Sequence, residues 1–429
     1  LPESFSNSQP LRALVESQQR GESKGIYAVC SAHPAVLQTA LGAVQAGECL
    51  LIEATCNQVN QFGGYTGMTP AAFAESIQSL AARQGFPSQR ILLGGDHLGP
   101  NPWRKEPAQS ALDKASQMIA AYASAGFAKL HLDASMACAD DGPLAPEQVA
   151  ARAADLCLAA EAAQTATPPV YVIGTEVPPP GGAKEGESAL QVTRAADALE
   201  TIQLFRAAFA ARGLEDAWQR VIALVVQPGV EFGDAEIHPY QRSQATDLSR
   251  AIQSQPGLVY EAHSTDYQTR AALRQLVEDH FAILKVGPGL TFAYREALFA
   301  LAHIEQEWLG RDPGVNLSHL LASVEQTMLA EPRDWADYYA GTPAALAYAR
   351  KYSLSDRIRY YWQREPLRSA VEHLLHNLEQ PGGLPLALLS QYLPREYAMV
   401  REGRLSNHPT ALLRAHVQQV LDDYTAACR

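Results

Sequence analysis

The sequence predicts an α/β protein: a (β/α)8 TIM barrel with a helical C-terminal extension. Three observations predict it. Eight short apolar runs recur over about the first 290 residues, amphipathic helical patterns lie between them, and the last hundred or so residues turn wholly helical.

The runs read YAVCSA from Tyr27, LLIEAT from Leu50, ILLGGD from Ile91 and KLHLDA from Lys129, then VYVIGTE from Val170, VIALVVQ from Val221, GLVYEAH from Gly257 and FAILKVG from Phe281. Each has the length and the Val/Ile/Leu content of a strand buried on both faces. The intervening helices carry their own punctuation. AAFAESIQSLAARQG is opened by Thr69 as N-cap and Pro70 at the first helical position, ALDKASQMIAAYASAG is closed by Gly126, and PEQVAARAADLCLAAEAA starts on Pro146. Eight β-then-α units with no ninth strand candidate favour closure over a doubly wound open sheet, although counting strands leaves the open sheet standing. The barrel is expected over 25–305. The remainder, 306–429, holds LSHLLASVEQTML, SAVEHLLHNLEQ and PTALLRAHVQQVLDDYTAACR and is expected to pack on the barrel as helices.

The chain has 429 residues, 47% of them hydrophobic, and a formal net charge of −12. So acidic a surface disfavours nucleic-acid and membrane partners, and an anionic ligand needs a local basic or amide-lined site. Six scattered cysteines with no CxxC pair suggest reduced thiols and a cytoplasmic location. LPESFSNSQP has no basic segment followed by an apolar core, so no secretory signal is expected, and no run reaches the length of a spanning helix. An oligomer is expected.

Barrel chemistry sits where strands end. Here nearly every strand end is polar: Glu53, Asp96–His97, His131 and Asp133, Glu176, Gln227, Glu261 with His263, and Lys285. Any one of these also reads as a hydrogen-bonded structural group, and His33 and His131 are open to that reading. Their convergence on one rim argues for a bound ligand, because burying so many polar groups is otherwise costly. His97, His263 and Glu176 suit a divalent transition metal, with Zn²⁺ the natural ion for imidazole nitrogen. Asp96, Asp133, Glu176 and Glu261 are the candidate catalytic acids, for proton transfer or for orienting a ring. KVGPGLTFAYREAL reads either as a phosphate clamp, with Lys285, Gly287, Gly289 and Thr291 in it, or as a plain βα turn. YSLSDRIRYYW, residues 352–362, brings Arg357 and Arg359 beside a capping arrangement of Ser353 and Asp356. It is a second phosphate candidate or a salt-bridged helix start. The sequence has no GxxxxGK[ST] loop and no GxGxxG after the first run.

Long stretches, among them VCSAHPAVLQTAL, LIEATCNQVNQFGGYTGMTP, ILLGGDHLGPNPW, YEAHSTDYQT and YSLSDRIRYYW, resemble the GatZ/KbaZ family, and the resemblance runs from about Gly25 to the C-terminus. These are the so-called non-catalytic subunits of D-tagatose-1,6-bisphosphate aldolase. The resemblance implies a sugar-phosphate ligand and a catalytic aldolase chain as partner. Members often carry the label tagatose-6-phosphate kinase. The family is similar in turn to class II, metal-dependent aldolases, in which an Asp-His pair ends the third strand and its His binds zinc. Asp96–His97 matches that pair, His263 matches a later zinc His, and Gln227 falls where the aldolases place another. Some relatives look like ketose 4-epimerases, so the resemblance also implies metal-dependent epimerase or lyase chemistry as an alternative to the accessory role.

Overall fold

The computed structural model describes residue 5 and residues 7–163, 167–175 and 190–429. Among the described residues there are ten strands: β1 Ile26–Val29, β2 Leu50–Thr55, β3 Ile91–Leu98, β4 Lys129–Leu132, β5 Val170–Ile173, β6 Val221–Val225, β7 Glu231–Phe232, β8 Ile237–His238, β9 Val259–Ala262 and β10 Phe281–Val286. Eight close into one barrel in the order β1-β10-β9-β6-β5-β4-β3-β2, and every pair in it is parallel. Closure follows from the register of β1, whose Ile26–Val29 pair with Ile283–Val286 while Ala28 and Val29 also pair with Leu51 and Ile52. The eight expected runs are these eight strands. The antiparallel ribbon β7–β8 was not expected, because two-residue strands are too short to carry a periodicity.

The helices begin and end where the sequence punctuates them. Thr69 accepts from the Ala72 N–H at the start of Pro70–Gln84, and Gly85 ends that helix in the left-handed conformation, φ 66°. Inside the barrel the lower layers are apolar: Ala28, Leu51, Leu92, Val172, Val259 and Ile283 belong to one buried cluster. Leu11 and Val15 join that cluster from the helix Gln9–Gln19. This helix lies against β6 and β10, and Gln18 fixes it by donating to the Val277 carbonyl at 3.1 Å.

The helix Pro288–Leu309 runs across the expected 305/306 boundary without a break. The last helix, Pro409–Cys428, packs against it and against Pro34–Ala43 and Arg270–Glu278, so the C-terminal helices lie directly on the barrel's outer ring. No described helix is long and apolar enough to cross a membrane.

Candidate functional site

Above the apolar layers the barrel interior turns ionic. Lys129 on β4 places its ammonium 2.8 Å from Glu53 of β2 and 2.7 Å from Glu261 of β9, and all three side chains are fully buried. Lys285 of β10 pairs with Glu53 as well, and lies 2.9 Å from Asp96 and 3.6 Å from Glu261. Two ammonium groups thus offset two of the three negative charges on Glu53, Asp96 and Glu261, and pairing of this kind is a condition for keeping charge in a barrel core. Gly94 makes room for it, since a Cβ there would stand 2.6 Å from the Glu53 Cγ.

Imidazoles lie over this layer. His131 Nδ1 is 3.2 Å from Asp96 Oδ1, His263 Nε2 is 2.9 Å from Glu261 Oε1, and His97 Nδ1 is 2.8 Å from Asp133 Oδ2. The His97 and His263 ring centroids are 4.8 Å apart. Asp133 is held in turn by the Ser135 N–H and hydroxyl. His97 has φ 48°, a left-handed conformation that a non-glycine residue keeps only where its surroundings dictate it. Burial pulls His97 down, but Asp96 and Asp133 outweigh it and bring the imidazole to about 9. Burial pushes the Asp96 carboxyl up, yet His97, His131 and His263 hold it well below the usual carboxylate range. Burial leaves His263 below its ordinary value despite Glu261. Lys285 is brought down by burial to about 8, so it keeps its proton at neutral pH.

Four donors, from Asp96, His131, Glu261 and His263, lie within 4.8 Å of one another, and all four residues are buried. His131 Nε2 is buried without a partner. Two imidazoles and two carboxylates suit a divalent ion, so this cluster fits a metal.

The cluster floors a cavity of about 470 Å³ at the C-terminal end of the barrel, with Asp96, His97, His263 and Lys285 in its wall. Segment 352–362 adds Arg359 and Tyr360 to the wall. Ser353 and Ser355 each donate to Asp234, in the turn between β7 and β8, at 2.7 Å, which docks the ribbon onto this segment. Asp356, φ 47°, then starts the short turn Arg357–Tyr360. Arg359 lines the cavity and donates to the Ser355 and Asp356 carbonyls and the Tyr360 hydroxyl, none of them a carboxylate. Arg364, also in the wall, is neutralised by Glu331 and Asp334. His33 is pulled down to about 4 by burial and is neutral there.

The candidate residues separate on this geometry. Asp96, Asp133, Glu261, His97 and His263 come together. Gln227 is engaged elsewhere: its Oε1 accepts from the Gly229 and Val230 N–H groups at 2.8 and 3.0 Å, inside its own loop. Glu176 lies outside the described residues. Gly287, Gly289 and Thr291 are at the cavity's edge, but the two glycine amides donate to Asp266, and the Thr291 hydroxyl donates to Asp356 at 2.5 Å. Arg357 turns away, its guanidinium 3.0 Å from the Tyr338 ring centroid.

Comparison with known proteins places the chain. The sequence model of the family described as D-tagatose-1,6-bisphosphate aldolase subunit GatZ/KbaZ-like matches residues 11–429. The chain belongs to the GatZ/KbaZ family. It is 50% identical over 423 residues to the D-tagatose-1,6-bisphosphate aldolase subunit GatZ of Escherichia coli O1:K1, covering 97% of this chain and 100% of that protein. The GatZ subunit of Salmonella dublin is also 50% identical, with 97% and 99% covered. A crystal structure of a probable tagatose 6 phosphate kinase from Sinorhizobium meliloti 1021 is 47% identical with a TM-score of 0.86, covering 94% of this chain and 100% of that one.

Within this GatZ/KbaZ barrel, sequence reasoning passed over Lys129 and Asp266 and left His131 as a structural group. Lys129 opens an apolar run, and only closure shows that it faces Glu53 and Glu261 inside. The signal for His131 was its spacing of two from Asp133 on one strand, which points both side chains to the same face of the sheet.

Proposed function

We propose that this chain is a GatZ-type subunit that supports a catalytic D-tagatose-1,6-bisphosphate aldolase chain and binds a ketose phosphate in the barrel-mouth cavity. The observation that carries the role is 50% identity along the full length of GatZ subunits. The cavity supports the ligand class. Arg359, which donates to carbonyl and hydroxyl oxygens, supplies the charge-assisted donor for a phosphate. The acid–imidazole floor supplies partners for sugar hydroxyls, and Asp133 fixes the His97 ring so that its other nitrogen can bond a sugar oxygen. Asp96, His131, Glu261 and His263 are the residues that would hold a divalent ion, with zinc the best match to the donor set. Such an ion supplies Lewis-acid polarisation of a ketose carbonyl. The Sinorhizobium meliloti protein is described as a probable kinase, but this sequence has no GxxxxGK[ST] loop to support that activity.

The test is reconstitution. A catalytic aldolase chain mixed with this protein gains bisphosphate-cleaving activity and melts at a higher temperature, because a partner that binds the folded state stabilises it. Equal activity and melting with and without this chain reject the role.

One observation favours a second reading. Of the buried set Asp96, His131, Glu261 and His263, Asp96 and His263 line a ligand-sized cavity with the other two packed behind them, a set suited to enolate chemistry rather than to packing alone. On this reading the chain is itself a metal-dependent lyase or 4-epimerase of a ketose phosphate. Turnover of tagatose 6-phosphate or tagatose 1,6-bisphosphate by the chain alone with added Zn²⁺ would establish it, and none under those conditions would reject it.

A further inference from the structure

The loop after β10 has the form of a phosphate site: two glycine amides converge at the start of a long helix, at the C-terminal end of a barrel strand. A side chain of the protein already holds those amides. Asp266 Oδ1 accepts from the Gly287 N–H at 2.9 Å and from the Gly289 N–H at 2.7 Å. The carboxylate oxygen stands where a phosphate oxygen would. Asp266 lines the cavity yet is only 3% exposed, so it is built into the wall. A Cβ on Gly289 would lie 3.0 Å from the same oxygen, which leaves no room for a phosphate between the carboxylate and the loop.

The backbone that carries Asp266 is pinned on both sides. Thr265 donates to the Lys285 carbonyl at 2.6 Å, and its own carbonyl accepts from the Tyr424 hydroxyl at 2.8 Å. The Tyr267 hydroxyl donates to the Leu354 carbonyl at 2.6 Å. Ser264 and Tyr267 are both left-handed, with φ 53° and 65°, a conformation that persists only where the surroundings over-determine it. The carboxylate is therefore a fixed occupant of the amide pair. Arg359 lines the same cavity and donates to two carbonyls and a phenol hydroxyl, so its guanidinium is the cation there that can turn to a phosphate.

We propose that Asp266 is a specificity-determining residue: the cavity has one phosphate position, at Arg359 and not at the β10 amides, and takes a ketose monophosphate in preference to a bisphosphate. This rests on the reading of the cavity as a ketose-phosphate site. A second phosphate brought to the β10 loop meets a carboxylate in place of free amides, and a like-charge contact in a confined site rejects that ligand. Burial lifts the Asp266 carboxyl to about 6, which leaves it anionic at neutral pH.

The experiment is calorimetric titration of the full chain, near neutral pH, with tagatose 6-phosphate and with tagatose 1,6-bisphosphate. Wild type is expected to bind the monophosphate more tightly by roughly tenfold or more. Asp266→Ala is expected to remove that preference by strengthening the bisphosphate, with monophosphate affinity changed less than about twofold. Equal affinities in wild type, or an unchanged ratio in a folded Asp266→Ala, overturn the inference while leaving the ketose-phosphate reading intact. If circular dichroism shows that Asp266→Ala does not fold, the wild-type ratio decides alone. Binding of neither sugar overturns the ketose-phosphate reading, and this inference with it.

Discussion

Lys129 Nζ lies 2.7 Å from Glu261 Oε2 at the centre of the barrel, and neither side chain reaches solvent. With Glu53 on its other side, this lysine is what allows two carboxylates to stand beneath the cavity. Removing one partner of a buried ion pair leaves the others uncompensated and costs about 3–5 kcal/mol. Lys129→Met is therefore expected to lower unfolding free energy by about that amount in urea titration. A loss below about 1 kcal/mol would mean that the carboxylates take up protons or water at little cost.

Gly94 provides the space for Glu53. In Gly94→Ala the new Cβ meets the Glu53 Cγ and Oε1 at 2.6 and 2.8 Å, so the carboxylate must shift away from Lys129. Overpacking of this kind costs about 1–3 kcal/mol. Melting should fall, and ketose-phosphate affinity with it, because the floor of the cavity moves. Unchanged melting would show that Glu53 has room to give.

Arg359 is expected to carry most of the phosphate's binding energy. Arg359→Met should weaken tagatose 6-phosphate binding by roughly tenfold or more, the loss of one charge-assisted contact. Calorimetry checks it. An affinity unchanged in a folded variant would place the phosphate elsewhere in the cavity.

The C-terminal helices carry a pH-dependent contact. His416, on the last helix, lies 2.9 Å from Glu396 and 3.4 Å from Glu296 of Pro288–Leu309. Burial pulls this imidazole down, but the two glutamates outweigh it and raise it from 6.5 to about 9. A pKa raised on folding means stability that is fully present below the unfolded value and lost as pH rises through the folded one. Wild type should lose stability between pH 6.5 and about 9, and His416→Gln should lose less over the same window. Parallel pH profiles for the two proteins would remove His416 from the account.

Much of the fold was legible. Buried parallel strands write themselves as continuous apolar runs, so β1–β6, β9 and β10 stood out, and Thr69, Pro70 and Gly85 punctuate their helix by local chemistry. The base-plugging helix Gln9–Gln19 escaped because few of its residues are apolar: Leu11 and Val15 enter the buried cluster and Leu14 packs against it. The site was legible in its strand-end acids and in His97 and His263. It was not legible where pairing depends on closure. His131 meets Asp96 only because β3 and β4 lie side by side, and Asp266 meets Gly287 and Gly289 across 21 and 23 residues of chain. Gln227 differs in that its bonds are local: its side chain accepts from amides two and three residues further along its own loop.

The most direct test of the account is whether the acid–imidazole cluster takes up a divalent ion. Melting of the metal-stripped protein should be followed with and without added Zn²⁺ or Mn²⁺, in wild type, His131→Ala and His263→Ala. The account predicts that the ion raises the wild-type melting temperature, because it binds the folded state, and that either substitution abolishes the rise. A wild-type melting temperature unmoved by either ion, or a rise that survives both substitutions, would contradict it.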